Sequence, residues 1–450
     1  MSEELPDGYQ EDDVFDTIVA PKSESELSGY SSDDGGEFVV NATTSPPVIR
    51  MVEESSTSEE TKSLRDSYFY ENQEGHWNER FQSLVESAYF RKGEENYSAV
   101  RQYELSLALR QLCASFAKEA SDIGVEIVKQ MFLPVDKRTI RPITDKVGGF
   151  AGGEKFLYKS IFFKFPVDSN DIYGGDFFAN KTAEHELKGL MAALDCRVEG
   201  LHVPLTALIN YRGYSLIAQS WLPVDSNTIV YGTPDRGNTI YARSPEFNAI
   251  MKAVGEQINL KPHDVWNTTR SYHRTLYGPA DLEGHIGKDN RCYILDCSRL
   301  FPPCAPRKGD TLKSTFLYRL LRPEFVKKWK TPLSSDAFSK FGKDYVSKDH
   351  NREVFEATEE LELNEVPAFA NHLDQLRKNR DEKKGRGGIF QERLSFVEEL
   401  SQLVVDMRLR GINTRYLLLL LIHIKLDYNR KLITTELIAR HIKNQVREKW

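Results

Sequence analysis

A chain of 450 residues, 40% hydrophobic and 11% aromatic, has material for one large globular domain or two to three smaller ones. Its formal charge of −7, from 60 basic and 67 acidic residues, excludes a generally basic nucleic-acid binder and leaves only local cationic surfaces. Five cysteines without a CxxC pair match neither a disulfide framework nor the usual zinc spacings, and predict buried thiols in a reducing compartment.

The first residues, MSEELPDGYQEDD, are acidic and have no apolar core, so no secretory leader is expected. Residues 1–75 read as a disordered acidic, serine-rich tail, because large apolar side chains are too few to offset the entropy of ordering. Within it, Ser31 and Ser32 precede Asp33 and Asp34, a pattern that suits an acid-directed kinase and equally a solvated tail. Residues 76–133 predict a helical scaffold, with Tyr103, Leu105, Leu107, Leu109, Leu112 and Phe116 on one broad side. Residues 134–166 predict a β-hairpin with strands KRTIRPITDKV and EKFLYKSIFFKF. The GGFAGG loop between them exposes amides suited to a phosphate, although it is not a GxxxxGK[ST] loop.

A turn at Gly174–Gly175 then leads into a helix whose polar face carries Lys181, Glu184, His185, Glu186 and Lys188. LTALINYRGYSLIAQSWLP predicts two strands around Tyr211-Arg212-Gly213. SPEFNAIMKAVGEQINL predicts a helix capped by Ser244 and opened by Pro245. CYILDCSRLF reads as a buried strand interrupted by Asp296, whose carboxylate needs a partner. From Phe316 the chain reads as successive amphipathic helices, including FLYRLLRPEFVKKW and SSDAFSKFGKDYV, with a basic connector over residues 378–388. The apolar run YLLLLLIHIKL is too short to span a bilayer, so a cytoplasmic protein without a transmembrane segment is expected.

Ten motifs stand in order between Lys137 and Leu417: GGFAGGEKF, IFFKFPVD, IYGGD, AEHELKGL, PLTALINYRGYSLIAQSWLP, TIVYG, LEGHIGKDNRCYILDCSRLFPP, LYRLLRPEFV, PLSSDAFS and LRGINTRYL. Together they resemble the Clu domain of the clustered-mitochondria proteins. The resemblance implies an α+β fold: a central mixed β/α Clu domain over residues 134–417, a mainly helical C-terminal half and further helices over 418–450. It also implies a non-enzymatic cytosolic role in mitochondrial distribution, through messenger RNAs that encode mitochondrial proteins. The implied partners are mRNA and cytosolic proteins, with association at the mitochondrial surface or ribosomes. The tetratricopeptide array and the ubiquitin-like domain of larger members are not evident, and GINTRYLLLL lacks the glycine expected after RYL.

The order of parts in the central block also resembles a protein-kinase lobe pair, in which a strand lysine, a helix glutamate and a late aspartate hold Mg-ATP. That reading assembles Gly149, Gly152, Gly153, Lys164, Glu186, Asp281 and Asp296 into a nucleotide pocket. Asp281 stands where a base would, with His285 or Asn290 supporting the metal. HRDxxxxN, DFG and GxGxxG are all missing, so no catalytic residue and no protein metal site is assigned. Arg322, Lys327, Lys328 and Lys330, interleaved with Phe325 and Trp329, form a candidate RNA surface; the same pattern suits an ordinary amphipathic helix. Arg408, Arg410 and Arg415 form a second basic group, and a protein–protein scaffold built on the C-terminal helices is the third functional reading.

Overall fold

The structure, a computed structural model, describes residues 37–40, 77–90, 98–143, 153–307, 314–342, 344–385 and 396–449. Expectations for the rest of the acidic tail, for residues 144–152 and for 386–395 lie outside them. The chain divides into two compact units. The first comprises the described parts of Thr17–Gly255 and Pro262–Leu300, the second those of Glu256–Lys261 and Phe301–Trp450.

The first unit opens with helices α1 (Trp77–Tyr89) and α2 (Ala99–Gln130). The Ser98 hydroxyl caps α2 by accepting the Arg101 amide at 3.2 Å. Leu105, Leu109, Leu112 and Phe116 are buried as expected, whereas Tyr103 is 60% exposed. Two residues span about 200° of a helix, which places Tyr103 opposite Leu105. Trp77 of α1 meets Phe116 edge-on at 5.3 Å. Phe81 and Phe116 are fully buried, each contributing about 1.5–3 kcal/mol.

An antiparallel sheet follows, in the order β1-β5-β6-β3-β2, from β1 (Glu37–Val40), β2 (Lys155–Tyr158), β3 (Ile161–Lys164), β5 (Thr206–Tyr211) and β6 (Tyr214–Ser220). Strand β1 arises within the stretch read as tail and pairs with β5. The hairpin expected over residues 134–166 is smaller and lies further along the chain. Pro142 deprives KRTIRPITDKV of a strand donor, and its described part, residues 137–143, forms no strand after the 3-10 turn Val135–Lys137. The hairpin falls inside EKFLYKSIFFKF, where Lys159 and Ser160 (φ 49° and 57°) make the two-residue turn between β2 and β3. The β5–β6 turn sits where expected, at Arg212 and Gly213, with φ 48° and 83°.

Helix α3 (Asp176–Asp195) lies on this sheet, its Ala183 and Leu187 packing with Leu208 of β5 and Ile217 of β6. A second sheet has the order β4-β12-β11-β7-β8. Its strands are β4 (Leu201–His202), β7 (Ile229–Gly232), β8 (Tyr241–Ala242), β11 (Glu283–Ile286) and β12 (Cys292–Leu295), with only β4 and β12 parallel. A separate hairpin pairs β9 (His263–Trp266) with β10 (His273–Leu276). Helix α4 (Pro245–Gln257) begins as predicted, Ser244 accepting the Phe247 amide at 3.1 Å.

The second unit is helical in shorter pieces than expected. FLYRLLRPEFVKKW is not one helix: it forms a 3-10 turn, Thr315–Leu317, a bridge from Leu320 to Pro303, and α5 (Pro323–Lys328). Pro323 forces Arg322 into extended backbone (ψ 147°), and the helix starts after it. SSDAFSKFG is a run of turns in which the Ser334 hydroxyl takes the Asp336 amide at 3.3 Å. Helix α6 (Asp344–Glu360) passes through a π turn, Leu361–Glu365, into α7 (Val366–Gly385), which accommodates Pro367 near the junction. Residues 378–385, read as connector, continue α7, as their strong helix-forming Lys, Arg and Glu content favours. Helices α8 (Phe396–Leu409), α9 (Leu417–His423) and α10 (Asp427–Lys449) complete the unit. No helix among the described residues is long and apolar enough to cross a membrane.

Candidate functional site

Lys164 is the last residue of β3, and its Nζ lies 3.1 Å from Asp296 Oδ1. Asp296 is not within a strand, as the sequence suggests, but one residue past the end of β12. There it takes left-handed backbone (φ 53°, ψ 49°) before a 3-10 turn, Cys297–Arg299. Strands β11 and β12 pair with Glu283 opposite Leu295. Asp281 before β11 and Asp296 after β12 therefore leave the hairpin at the same end. Asp281 is held by Arg299, whose Nε and Nη2 each donate to one carboxylate oxygen at 2.8 Å. In both pairs the cation lies deeper than the carboxylate. The Lys164 and Arg299 side chains are 16% and 3% exposed, those of Asp296 and Asp281 36% and 41%.

Glu186 reaches the same place from α3 and is buried. The amides of Cys297 and Ser298 donate to its carboxyl, tying the helix to the turn. Burial and the Asp296 charge push its proton affinity up to about 8, against the pull of Lys164 and of the two amides. Burial alone would lower the Lys164 ammonium, but the charge of Asp296, the hydrogen bond to it and, once ionised, the charge of Glu186 hold it above its usual range. Below about pH 8 Glu186 thus holds a proton beside the Lys164–Asp296 pair. A raised acid in the native state contributes stability that is complete below its unfolded value and is lost as pH rises through about 8. Glu186→Gln is accordingly expected to flatten the fall in melting temperature between pH 5 and pH 8 and to exceed the parent at the upper end. An unchanged slope in thermal unfolding would refute this assignment.

Helix α3 comes this close because residue 189 is glycine: a Cβ there would stand 2.2 Å from the Cys297 carbonyl oxygen. Lys155 of β2 sits opposite Lys164 in register, and burial together with the Lys164 charge lowers its proton affinity. The Asp168 carboxylate accepts the amides of Ile172, Tyr173, Gly174 and Gly175, closing the loop before α3. That loop brings Tyr173 into the field of Lys164, Asp281, Arg299 and Asp296. Burial pushes the Glu283 carboxyl up while His285 bonds to it.

The structure thus gathers Lys164, Glu186, Asp281 and Asp296. Gly153 (φ 97°) packs against the backbone of Phe165, beside Lys164. Gly149 and Gly152 lie outside the described residues. Asn290 belongs to the opposite end of the hairpin, in the turn where its amide meets the Gly287 carbonyl at 2.9 Å. His285 is buried between Thr228 Oγ1 at 3.0 Å and Glu283 Oε2 at 3.3 Å. Sequence reasoning missed Arg299, Tyr173 and Asp168; the need of Asp281 for a cation was the available signal for Arg299. Among the described residues no group of three His, Cys, Asp or Glu side chains could hold a metal ion. All five cysteines are buried, and desolvation pushes the Cys113 thiol up to about 12.

The basic group near α5 is narrower than its sequence. Arg322 is buried and forked onto Glu324, both bonds at 3.0 Å, so it does not belong to an exposed patch. Lys327, Lys328 and Lys330 are exposed. The Lys328 ammonium donates to the Leu409 carbonyl at 3.3 Å, and Lys330 sits 5.1 Å from the Trp329 ring. Arg408, Arg410 and Arg415 do not form one surface, because Arg415 is buried and donates to Cys304 Sγ and to the Leu320 carbonyl.

The family model CLU, described as "Clustered mitochondria", matches residues 76–305, just over half of the chain. The chain belongs to the clustered-mitochondria family. The CLU match runs from the start of α1 to just beyond the Cys297–Arg299 turn, so the whole Lys164–Asp296 centre lies inside it. Among curated CLU relatives, "Protein clueless" of Drosophila persimilis is 34% identical over 158 residues, 33% of this chain and 11% of that protein. A "Clustered mitochondria protein homolog" of Anopheles gambiae is 34% identical over 164 residues, 35% of this chain and 11% of the relative. Its namesake in Xenopus tropicalis is 31% identical over 170 residues, 35% of this chain and 13% of the relative. The matched segments span only about a tenth of the length of these CLU relatives. No solved structure matches the chain.

Proposed function

We propose that this CLU-family chain serves mitochondrial distribution in the cytoplasm, as a non-enzymatic factor that associates with messenger RNAs for mitochondrial proteins. Membership of a family whose relatives are named for clustered mitochondria supports the cellular role. The observation that carries the RNA reading is the exposed trio Lys327, Lys328 and Lys330 with Trp329 among them, on a chain of net charge −7. Cations interleaved with a ring engage phosphates and bases of a single strand together. The reading of Asp296-Cys297-Ser298 as a departure from Asp-Phe-Gly supports the absence of phosphoryl transfer.

Ultraviolet crosslinking to RNA in living cells tests this, with the Lys327→Glu/Lys328→Glu variant alongside. Crosslinking is expected in the parent and should fall several-fold in the variant, whose binding would also show a shallower salt dependence. Background-level crosslinking of the parent would overturn the RNA reading. The scaffold reading would then lead, since Ile438, Ile442 and Val446 stand exposed at four-residue intervals along α10.

A further inference from the structure

We infer that the outward face of helix α10 is a docking surface for an acidic segment of this same chain, Glu11–Val19, which lies outside the described residues. The first argument is the placement of apolar side chains around the helix. Leu432 and Ile433 are buried and mark the side of α10 turned into the helical unit. Ile442 stands nine positions after Ile433, about 900° of helical rotation, and so points away from that side. Ile438, Ile442 and Val446, at four-residue spacing, are 54%, 57% and 50% exposed. A helix that packs by one stripe alone carries polar residues on the opposite face. A second apolar stripe there marks a surface that a partner covers.

The second argument is charge. Between Arg430 and Val446 the one acid is Glu436, which is turned about 120° from Ile442. It is tied to Arg440, at 2.9 Å from Nε and 2.8 Å from Nη2. Lys431, eleven positions before Ile442, falls within about 20° of it, and Lys431, His441 and Lys443 are all exposed. Flanks of one sign oppose a second copy of α10 on this face and select an acidic partner.

The chain itself holds a segment of that chemistry. Residues 1–36 are strongly acidic, with Lys22 their one basic side chain. Their densest apolar cluster is Val14, Phe15, Ile18 and Val19, two overlapping pairs at four-residue spacing, set among Glu11, Asp12, Asp13 and Asp16. Docked as a short helix that Pro21 ends, the segment places the four apolar side chains on one face and Asp12, Asp13 and Asp16 on the other. The apolar face then lies on the α10 stripe, and the acids reach the cations beside it. A protein scaffolded on α10 must first displace this segment. The RNA reading uses Lys327, Lys328 and Lys330 instead, so its failure leaves this inference standing.

The test is photocrosslinking of the full chain with p-benzoylphenylalanine in place of Phe15, the products being mapped by mass spectrometry. Crosslinks are expected within one chain, to α10 between Thr434 and Val446, with a yield that falls several-fold at high ionic strength. Ile442→Glu should lower the yield by about tenfold, because it sets a carboxylate in the stripe against an acidic segment. Lys431→Glu/Lys443→Glu should lower it several-fold, and adding Asp12→Lys/Asp16→Lys should restore most of the loss. The substituted α10 positions are exposed, so the variants are expected to keep the fold, which circular dichroism checks. No crosslink to α10 in the folded parent, a yield indifferent to Ile442→Glu, or failure of the charge swap to rescue would overturn the inference. Products that join two chains only would also overturn it, by assigning the face to a second copy. So would retention of the parent on phosphatidylserine vesicles that Ile442→Glu abolishes, which would assign the face to a lipid surface.

Discussion

Asp281→Ala is expected to lower the stability of the chain by about 3–5 kcal/mol, more than any other single change at the centre. The cost does not come mainly from the aspartate, which is partly hydrated and screened. It comes from Arg299, whose side chain is 3% exposed and whose Nε and Nη2 both donate to Asp281. A guanidinium cannot shed its proton in a protein, so removing the carboxylate leaves a buried permanent charge. Lys164→Met should cost less, because Asp296 is 36% exposed and Glu186 already holds a proton when Lys164 is removed. Urea unfolding of the two variants would give this order directly. Adding Arg299→Met to Asp281→Ala should restore part of the loss, since the uncompensated charge goes with it. A loss below about 1 kcal/mol for Asp281→Ala would show that water already serves Arg299 and that the pair behaves as a surface bridge.

The second large effect runs against the usual sign. Replacing glycine by alanine inside a helix ordinarily stabilises it by about 0.5–1 kcal/mol. Gly189→Ala is expected instead to destabilise by about 1–3 kcal/mol, the range for overpacking a close contact. The new Cβ would meet the Cys297 carbonyl oxygen at 2.2 Å and its Cβ at 2.8 Å, and backbone cannot rotate aside as a long side chain can. Helix α3 and the turn must part. The amides of Cys297 and Ser298 would then pull away from Glu186, and Asp296 would leave Lys164. Thermal unfolding checks the first consequence, and the pH dependence of that unfolding, which Glu186 sets, checks the second. A gain in melting temperature would show that α3 does not depend on that glycine for its approach.

Much of the local architecture was legible. Ser244 caps α4, and it was readable as a cap because Pro245 and an apolar periodicity follow it. The Arg212-Gly213 turn was legible because both residues suit positive φ between two β-rich runs. Other readings failed for identifiable reasons. A glycine-rich loop drew the expected hairpin forward, while the real turn used Lys159 and Ser160, neither of them a usual turn residue for positive φ. Strand β11, EGHI, carries glycine and charge and owes its conformation to being paired on both sides, by β7 and β12. Arg322 looked like a surface cation until Glu324, two residues on, was seen to neutralise it in a buried setting.

By itself the sequence determined the family, the helical and strand-rich regions, the caps, and the residue types available for charge chemistry. Each of these depends on neighbours within a few positions, or on motifs that keep their order along the chain. Only the tertiary structure decided which charges meet. Lys164 and Asp296 are 132 positions apart, and Asp281 and Arg299 are 18 apart across a strand pair. The β11–β12 register sends both aspartates out at one end of the hairpin and Asn290 to the other, and a slip of one residue would reverse which face each side chain occupies. Burial, which no local pattern specifies, then makes the permanent charge of Arg299 costly to leave without a counter-ion and Glu186 a proton-bearing acid, because removing water penalises an ion in proportion to how little else compensates it.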